Sequence, residues 1–572
     1  MSRCHINPRM QTQLLPMNRV PSPHPSPRME ESVPEGVVKE ATAPWRPLRQ
    51  RIRGMLSLYA ALTFVALHVC ASDSQWVHPG PDGRLIYKTT PSGDRIMDFS
   101  HAGYMGGGVA LPNVPVKQTL KPSGDGDDTA AIQSAINAVA ALRPENGFRG
   151  AVLLAPGTFS CSNTITISAS GVVLRGSGHT GATTRTTIRL TGQPHNAITI
   201  RASPGRRDAE PAPIFASAQT TMADAYVPSG TARFAVSDAT GFAVGDTIEL
   251  RRPVTAAWIK FMQMDDLVRD GKAQTWLRAG SSTTAERRIA SISRNTIAVD
   301  VPLSDSFDSR YLSPPGTAVV KIRPPVRVSH VGIESLHIES PPQEINHTQP
   351  HFTALRLTAE DSWVRDVVID ETMNSVGING RRLTLLRVAV NRKARHQGSS
   401  KPAEFAPNAG QVLLDHCTST GDNVWYAATG GGVSGPIVLL HCTFLGNGRA
   451  ESHQRWSTGM LYDNCRVPDG GIDFRNRGSM GSGHGWSMGW GVAWNCQARD
   501  FVIQSPPGAA NWMIGCLGEN KLMPRPFGSE PNLAEGIKDS HGTPVTPKSL
   551  YLAQLAERLG PQALQNIGAT AE

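Results

Sequence analysis

The sequence predicts an all-β chain, a parallel solenoid of short strands closed at its start by one helix. Two stretches carry that expectation. In Gly124–Gly178, Ile132, Ala135, Ile136 and Val139 recur at helical spacing and give one apolar face. Asp127, Asp128 and Thr129 stand just ahead of it, where short polar side chains suit the unpaired N–H groups of a helix start. Short apolar runs follow at Ala151–Ala155, Ile165/Ile167 and Val172/Leu174, the first closed by Pro156-Gly157. The second stretch lies in the C-terminal half, where Cys417, Cys442, Cys465, Cys496 and Cys516 end similar apolar phrases. Their irregular spacing, between 20 and 31 residues, suits the coils of a solenoid. Thiols at equivalent places would stack inside such a core, with disulfide bridges as the alternative; no CxxC points to metal.

The first of these stretches resembles the opening of the pectate lyase-like, right-handed parallel β-helix proteins, in their rhamnogalacturonase/epimerase-like branch. The matching residues are Gly124-Asp125-Gly126 running into Asp127-Asp128-Thr129, then Ile132-Gln133 and Ile136, the strand ending at Pro156-Gly157, and Gly171-Val-Val-Leu174-Arg-Gly176-Ser-Gly178. The resemblance implies a helix plugging the N-terminal end of a right-handed β-helix (a pectin lyase-like solenoid) that acts on or binds carbohydrate. It does not choose a reaction, because one solenoid carries lyases, hydrolases, epimerases and tailspikes.

The chain divides by texture. Residues 1–71 are read as a leader and signal peptide: Arg46, Arg49, Arg51 and Arg53 precede the apolar Leu56–Val69, and Val69-Cys70-Ala71 ends in small residues. Lipidation of Cys70 is the alternative, and Met29 or Met55 would suit the start of such a leader. Export to the periplasm or the extracellular space follows, without a membrane span. Residues 72–203 would hold an N-terminal extension, the capping helix and the first coils, with the extension against those coils. Residues 204–320 alternate apolar and polar positions around polar turns and read as an inserted, barrel-like β-rich domain, with Trp258 and Trp276 packed inside it, or, in the alternative, stacking on sugars. Residues 321–525 resume the short-strand rhythm as the main β-helix. Residues 526–572 form a tail with one helix, whose Leu552, Leu555 and Leu559 would cover the open end or lie along the side.

The formal charge of +9 falls once the leader is removed, since residues 72–572 hold 47 basic and 43 acidic side chains. That mild excess excludes a general nucleic-acid partner, and a monomer is expected. Charge is concentrated locally. Residues 372–403 carry seven Lys/Arg and no acid, and Arg392, His396 and Lys401 precede or flank a Gly/Ser-rich loop that could present them to an acidic, uronic-acid-containing polysaccharide.

Two further clusters supply candidate chemistry. Glu451–Trp456 reads ESHQRW: His453 is a candidate base, Arg455 a fork for a carboxylate, and Trp456 a platform for a sugar. Phe474–Gly491 sets Arg475, Arg477, His484 and Trp486 among glycines, where a substrate can approach closely. Elimination from a uronate needs a base and a cation at the carboxylate. His453 or Lys401 would serve as base, with Arg455, Arg475 or Arg392 as cation and His484 as a further catalytic candidate. Gly483-His484-Gly485 is similar to a motif of the β-helix polygalacturonases, so a hydrolase using Asp463 and Asp473 with His484 is the second reading. That family's other motifs are missing, in keeping with a lyase. A non-catalytic, adhesin-like binder is the third. Calcium is the one cofactor admitted, with Glu371, Asp422 and Glu404 as loose oxygen candidates.

Overall fold

The computed structural model describes residues 72–181, 183–202, 218–528 and 531–570, and the leader reading of residues 1–71 lies outside them. The main body is a right-handed parallel β-helix, the hand that parallel crossovers take. Each coil lays its strands in register on the next. Val412–Asp415 pairs with Ser434–Leu440, which pairs with Ser457–Asp463, which pairs with Val492–Trp494, and so on to Ile537–Asp539. Strands buried on one face and stacked edge to edge explain the apolar runs, and a single continuous core fills the solenoid.

One turn recurs along the solenoid from Ser335 onward. Ser335, Asp366, Arg387, His416, His441, Asn464, Asn495, Gly515 and Ser540 all adopt a left-handed backbone, φ between 48° and 66°, at corresponding positions. From His416 to Gly515 the amide donates to a carbonyl of the next coil, as from His416 to Leu440, His441 to Asp463 and Asn464 to Trp494. The residue after each turns inward, except His541 after Ser540, which is exposed. From Cys417 onward the inward residue is Cys442, Cys465, Cys496 and Cys516, all buried free thiols. Each thiol donates to a carbonyl of the previous coil at 3.2–3.5 Å, a use that valine could not fill. Burial pushes the thiols of Cys442, Cys496 and Cys516 up, so they stay protonated.

The capping helix spans Thr129–Ala140 and buries Ile132, Ala135, Ile136 and Val139 against the first coils. The aspartates ahead of it fasten it down. Asp127 accepts from the Thr129 amide at 3.0 Å and from the Ser162 hydroxyl at 2.6 Å, and Asp128 accepts from the amides of Ser123 and Ser160.

The inserted region is an excursion from an unbroken solenoid. Asn196–Ile200, before it, pairs on one side with Ile165–Ile167 and on the other with Thr353–Leu357, after it. Within it, Thr247–Pro253 and Ser282–Ser293 are central in a six-stranded antiparallel sheet. Trp258 and Trp276 lie in that region's own core, with ring centroids 4.9 Å apart.

Two expectations are refined. The N-terminal extension does not start on the first coils. Ser72–Asp73 pairs with Val545–Thr546, and Trp76 and Phe99 pack with Leu440, Trp494 and Leu550. The segment then runs back to Tyr104, which meets Trp363 edge-on, and reaches the first coil at Val116–Leu120. It thus ties late coils to early ones. The terminal helix, Leu550–Leu559, lies along the side and not over the end. A second short helix, Pro561–Asn566, follows. Among the described residues no helix is long and apolar enough to cross a membrane.

Asp463 anchors that terminal helix from the solenoid. Its buried carboxylate accepts from the Ser549 hydroxyl and the Tyr551 amide, each at 2.8 Å, and from Asn464. Asp463→Ala would leave these buried donors unpaired, and urea unfolding should show a loss of about 2 kcal/mol. An unchanged midpoint would mean that the helix is not held through this carboxylate.

Candidate functional site

The site forms where strand Arg449–Glu451 lies between Trp425–Ala428 and Arg466–Phe474. Register sets its charges in rows. Trp425, Arg449, Gly471 and Asp500 occupy one row across four coils; Ala428, Glu451 and Asp473 occupy the next. Arg449 lies flat across Gly471, where a Cβ would collide with the guanidinium. It reaches Asp473 and, at 2.6 Å, Asp500, which also takes Arg499 at 2.9 Å and Lys521 at 3.1 Å. These contacts hold the Asp500 carboxyl down, to about 2.

Beyond the strand ends, the loops 452–456 and 475–487 close over one another. The Arg455 amide donates to His484 O and the Trp456 amide to Trp486 O, while the Arg477 amide folds the second loop back on itself by donating to Gly485 O. This zipper brings together the residues of two separate sequence clusters. Glu451 is almost fully buried, and its carboxylate takes His453 Nδ1 at 2.9 Å and Arg477 Nη1 at 3.2 Å. Arg477 Nη1 also lies 3.1 Å from His453 Nε2 and 3.0 Å from His484 Nδ1. Gly481 makes room for the His484 ring, since a Cβ there would overlap it.

The electrostatics follow from burial and a shortage of acids. Burial alone would raise the Glu451 carboxyl, but Arg477, His453 and Arg475 overcome it and pull it to about 2. The same burial, with Arg477 beside it, holds His453 below the usual imidazole range despite the Glu451 hydrogen bond. His484 is lowered further, to about 3, by burial and then by Arg477 and His453. Both imidazoles are therefore neutral at neutral pH. The ionised Glu451 carboxylate accepts a hydrogen bond from His453 Nδ1–H, and in that tautomer Nε2 is the unprotonated nitrogen, with Arg477 Nη1 at 3.1 Å from it. The His453 side chain keeps 23% of its surface open to solvent.

Lys401 joins the group. Its ammonium stands 4.8 Å from the centre of the Trp425 ring, which Arg477 approaches at 5.1 Å and His453 at 5.2 Å. Burial lowers the Lys401 pKa, and the neighbouring Arg449 and Arg477 add to this. Arg455 turns to Ser482, taking its hydroxyl at 2.6 Å and its carbonyl at 3.0 Å. Arg475 is half-buried and makes no ion pair among the described residues, although it lies near enough to act on Glu451.

The structure thus gathers His453, Arg455, Lys401, His484, Arg475 and Arg477. It removes four other candidates. Trp456 and Trp486 are not sugar platforms: both are buried in the core of the inserted region, with Trp456 Nε1 on Asp305 at 2.8 Å and Trp486 Nε1 on Met262 O at 3.0 Å. Arg392 is buried against Glu404 at 3.0 Å, and His396 is buried as well, its ring 6.0 Å from that of His347. Much of the basic run is likewise paired: Arg381 and Arg382 with Glu360, and Arg387 with Asp366. Neither carboxylate of the hydrolase reading is available, since Asp463 holds the terminal helix and Asp473 holds Arg449.

The calcium candidates do not converge. Glu371 accepts from the amides of Lys393 and Ala394, Asp422 from that of Asn447, and Glu404 from Ser375 and Arg392. Sequence reasoning overlooked Trp425, the shared wall of the site, and the anchoring role of Glu451. The row position of Trp425 opposite Arg449 was the signal, and it is visible only once the coils are aligned.

No family model and no curated protein matches the chain. Among solved structures it is similar to the Gp54 tailspike of Acinetobacter baumannii bacteriophage AP22, in complex with A. baumannii capsular saccharide, at 10% identity, TM-score 0.31, over 69% of this chain and 61% of that one. The tailspike gp49 of Pseudomonas phage LKA1 follows at 13% identity and TM-score 0.32, over 69% of each chain. A polygalacturonase from Erwinia carotovora ssp. carotovora aligns at 10% identity and TM-score 0.33, over 72% of this chain and 95% of that one. The chain spans 61% of the length of the first of these relatives. Likeness at this level says nothing of chemistry.

The Glu451 carboxyl gives a pH prediction. Its pKa lies below the ordinary 4.5, so its contribution to stability is complete above about 4.5 and is lost as pH falls toward about 2. The difference in melting temperature between wild type and Glu451→Gln should be largest at neutral pH and shrink across that window. A constant difference would refute the assignment.

Proposed function

We propose that the protein is an exported carbohydrate-active enzyme that cleaves an acidic, uronic-acid-containing polysaccharide by β-elimination. The observation that carries this is the neutral, partly open His453 imidazole, oriented by Glu451 and touched by Arg477, with Lys401 at the shared Trp425 ring and Arg455 and Arg475 on the two loops that carry His453 and His484. A base next to surplus guanidinium groups is what removal of a proton α to a carboxylate asks for.

In this reading Arg475 and Arg455 bind the uronate carboxylate as planar forks and stabilise the charge that builds there. His453 Nε2 takes the proton from C5. The electron pair forms the C4–C5 double bond, the bond from C4 to the glycosidic oxygen breaks, and that oxygen takes a proton from the Lys401 ammonium. The lowered pKa of Lys401 makes it the better acid for that step. Arg477 holds Glu451, His453 and His484 in one arrangement, and Trp425 walls the site beside them.

The test incubates the protein from Ser72 with pectic, alginate, glucuronan and glycosaminoglycan polymers, following unsaturated-uronate absorbance and reducing ends together. A rise in both supports elimination, and reducing ends alone would move the reading to hydrolysis. Polymer binding without either would make the solenoid a binder. On the substrate that responds, His453→Gln should lower kcat by about a hundredfold to ten-thousandfold, with binding retained. Arg475→Ala should raise KM and also lower kcat, because the charge it meets grows in the transition state, and be partly rescued by Arg475→Lys.

A further inference from the structure

The turn ladder holds a second cluster, remote in the coil from the site around His453. His416 and His441 occupy the left-handed position in consecutive coils, with ring centroids 4.8 Å apart. Asp415, directly before His416, is buried and accepts from His416 Nδ1 at 2.6 Å. One ligand atom from each of the three lies within 4.8 Å of the others, and no other such trio occurs among the described residues. The next two rungs, Asn464 and Asn495, show that the turn itself needs only a residue that tolerates φ near 50°. Imidazole twice in succession, with a carboxylate alongside, is chemistry beyond what the backbone asks.

We propose that Asp415, His416 and His441 bind a divalent transition-metal ion of the zinc class. Two imidazole nitrogens and one carboxylate oxygen match the donors such an ion takes, whereas calcium and magnesium call for oxygen alone. Stacked β-coils fix the backbones of both histidines, through the amide of His416 on Leu440 O and that of His441 on Asp463 O. His416 is exposed and its ring can swing to close the three donors to the edge of a tetrahedral site, about 3.4 Å. Arg387, the rung before, is paired with Asp366 at 2.7 Å, which offsets part of its charge near the site. The bound ion would clip two coils together, and water would complete its coordination.

The experiment uses the protein from Ser72, purified without a polyhistidine tag and stripped with chelator. Calorimetric titration with Zn²⁺ should show one site per chain, and Zn²⁺ should raise the melting temperature by mass action. Co²⁺ in its place should give visible absorption bands of a site with nitrogen and oxygen donors. His416→Asn and His441→Asn adopt the residue that the same turn uses one and two coils later, so folding should persist. Each should weaken Zn²⁺ binding about tenfold or more, and the double variant should abolish the site and the thermal shift. Asp415→Asn should weaken it similarly. Wild-type affinity in the double variant, or no binding of Zn²⁺ by the wild type at submillimolar concentration, would overturn the proposal.

Discussion

Lateral stacking of coils, pinned from Ser335 onward by a left-handed residue in each coil, is the constraint on which everything else in this molecule depends. A parallel solenoid has no hairpins to fix its register, so register must come from elsewhere. Through the later coils it comes from a turn whose amide reaches the next coil, as from His441 to Asp463 O and from Asn495 to Ile514 O. The residue after it must then enter the core at a fixed depth. Cysteine suits that place because it is small, apolar and still able to donate weakly to a carbonyl of the coil before. Once this is set, every other position in a coil acquires a partner in the coils on either side.

Rows formed in this way concentrate charge, and the rows around the site show how it is compensated. Glu451, Asp473 and Asp500 are buried carboxylates, which would be costly without cations. Arg449 serves two of them and Arg477 the third, with His453 alongside. Among the described residues Arg475 and Lys401 make no ion pair with a carboxylate, and they give the loop region its surplus of positive charge. The surplus is a local product of register. It does not follow from the chain's mild net charge.

Elements governed by neighbours in sequence were legible from it. The apolar face of Thr129–Ala140, the coil-length recurrence of the cysteines and the alternating strands of the inserted region all lie in continuous stretches. His453 and Arg455, and likewise Arg475, Arg477 and His484, were legible as two separate local clusters. Their meeting was not, because a zipper of backbone bonds between the loops 452–456 and 475–487 makes it. Errors arose where the partner was distant or just outside the window. Arg392 looked free because residues 372–403 contain no acid, yet Glu404 lies directly beyond and neutralises it. Arg381 pairs with Glu286 in the inserted region, and no local pattern announces such a partner.

The indoles were misread for the same reason, and their true place explains what the inserted region does for the site. Trp456 and Trp486 leave the two site loops and enter the core that holds Trp258 and Trp276. Trp276 Nε1 donates in turn to Trp486 O at 3.1 Å, the same carbonyl that takes the Trp456 amide. Each site loop is therefore held at two points, by the other loop and by the inserted region. His453 lies three residues before one anchored indole and His484 two residues before the other. Without that anchorage the long glycine-rich loop 475–487 would have to order Arg477 and His484 at its own entropic expense. The inserted region thus supplies rigidity to an arrangement of imidazoles and guanidinium groups that the solenoid alone leaves on loops.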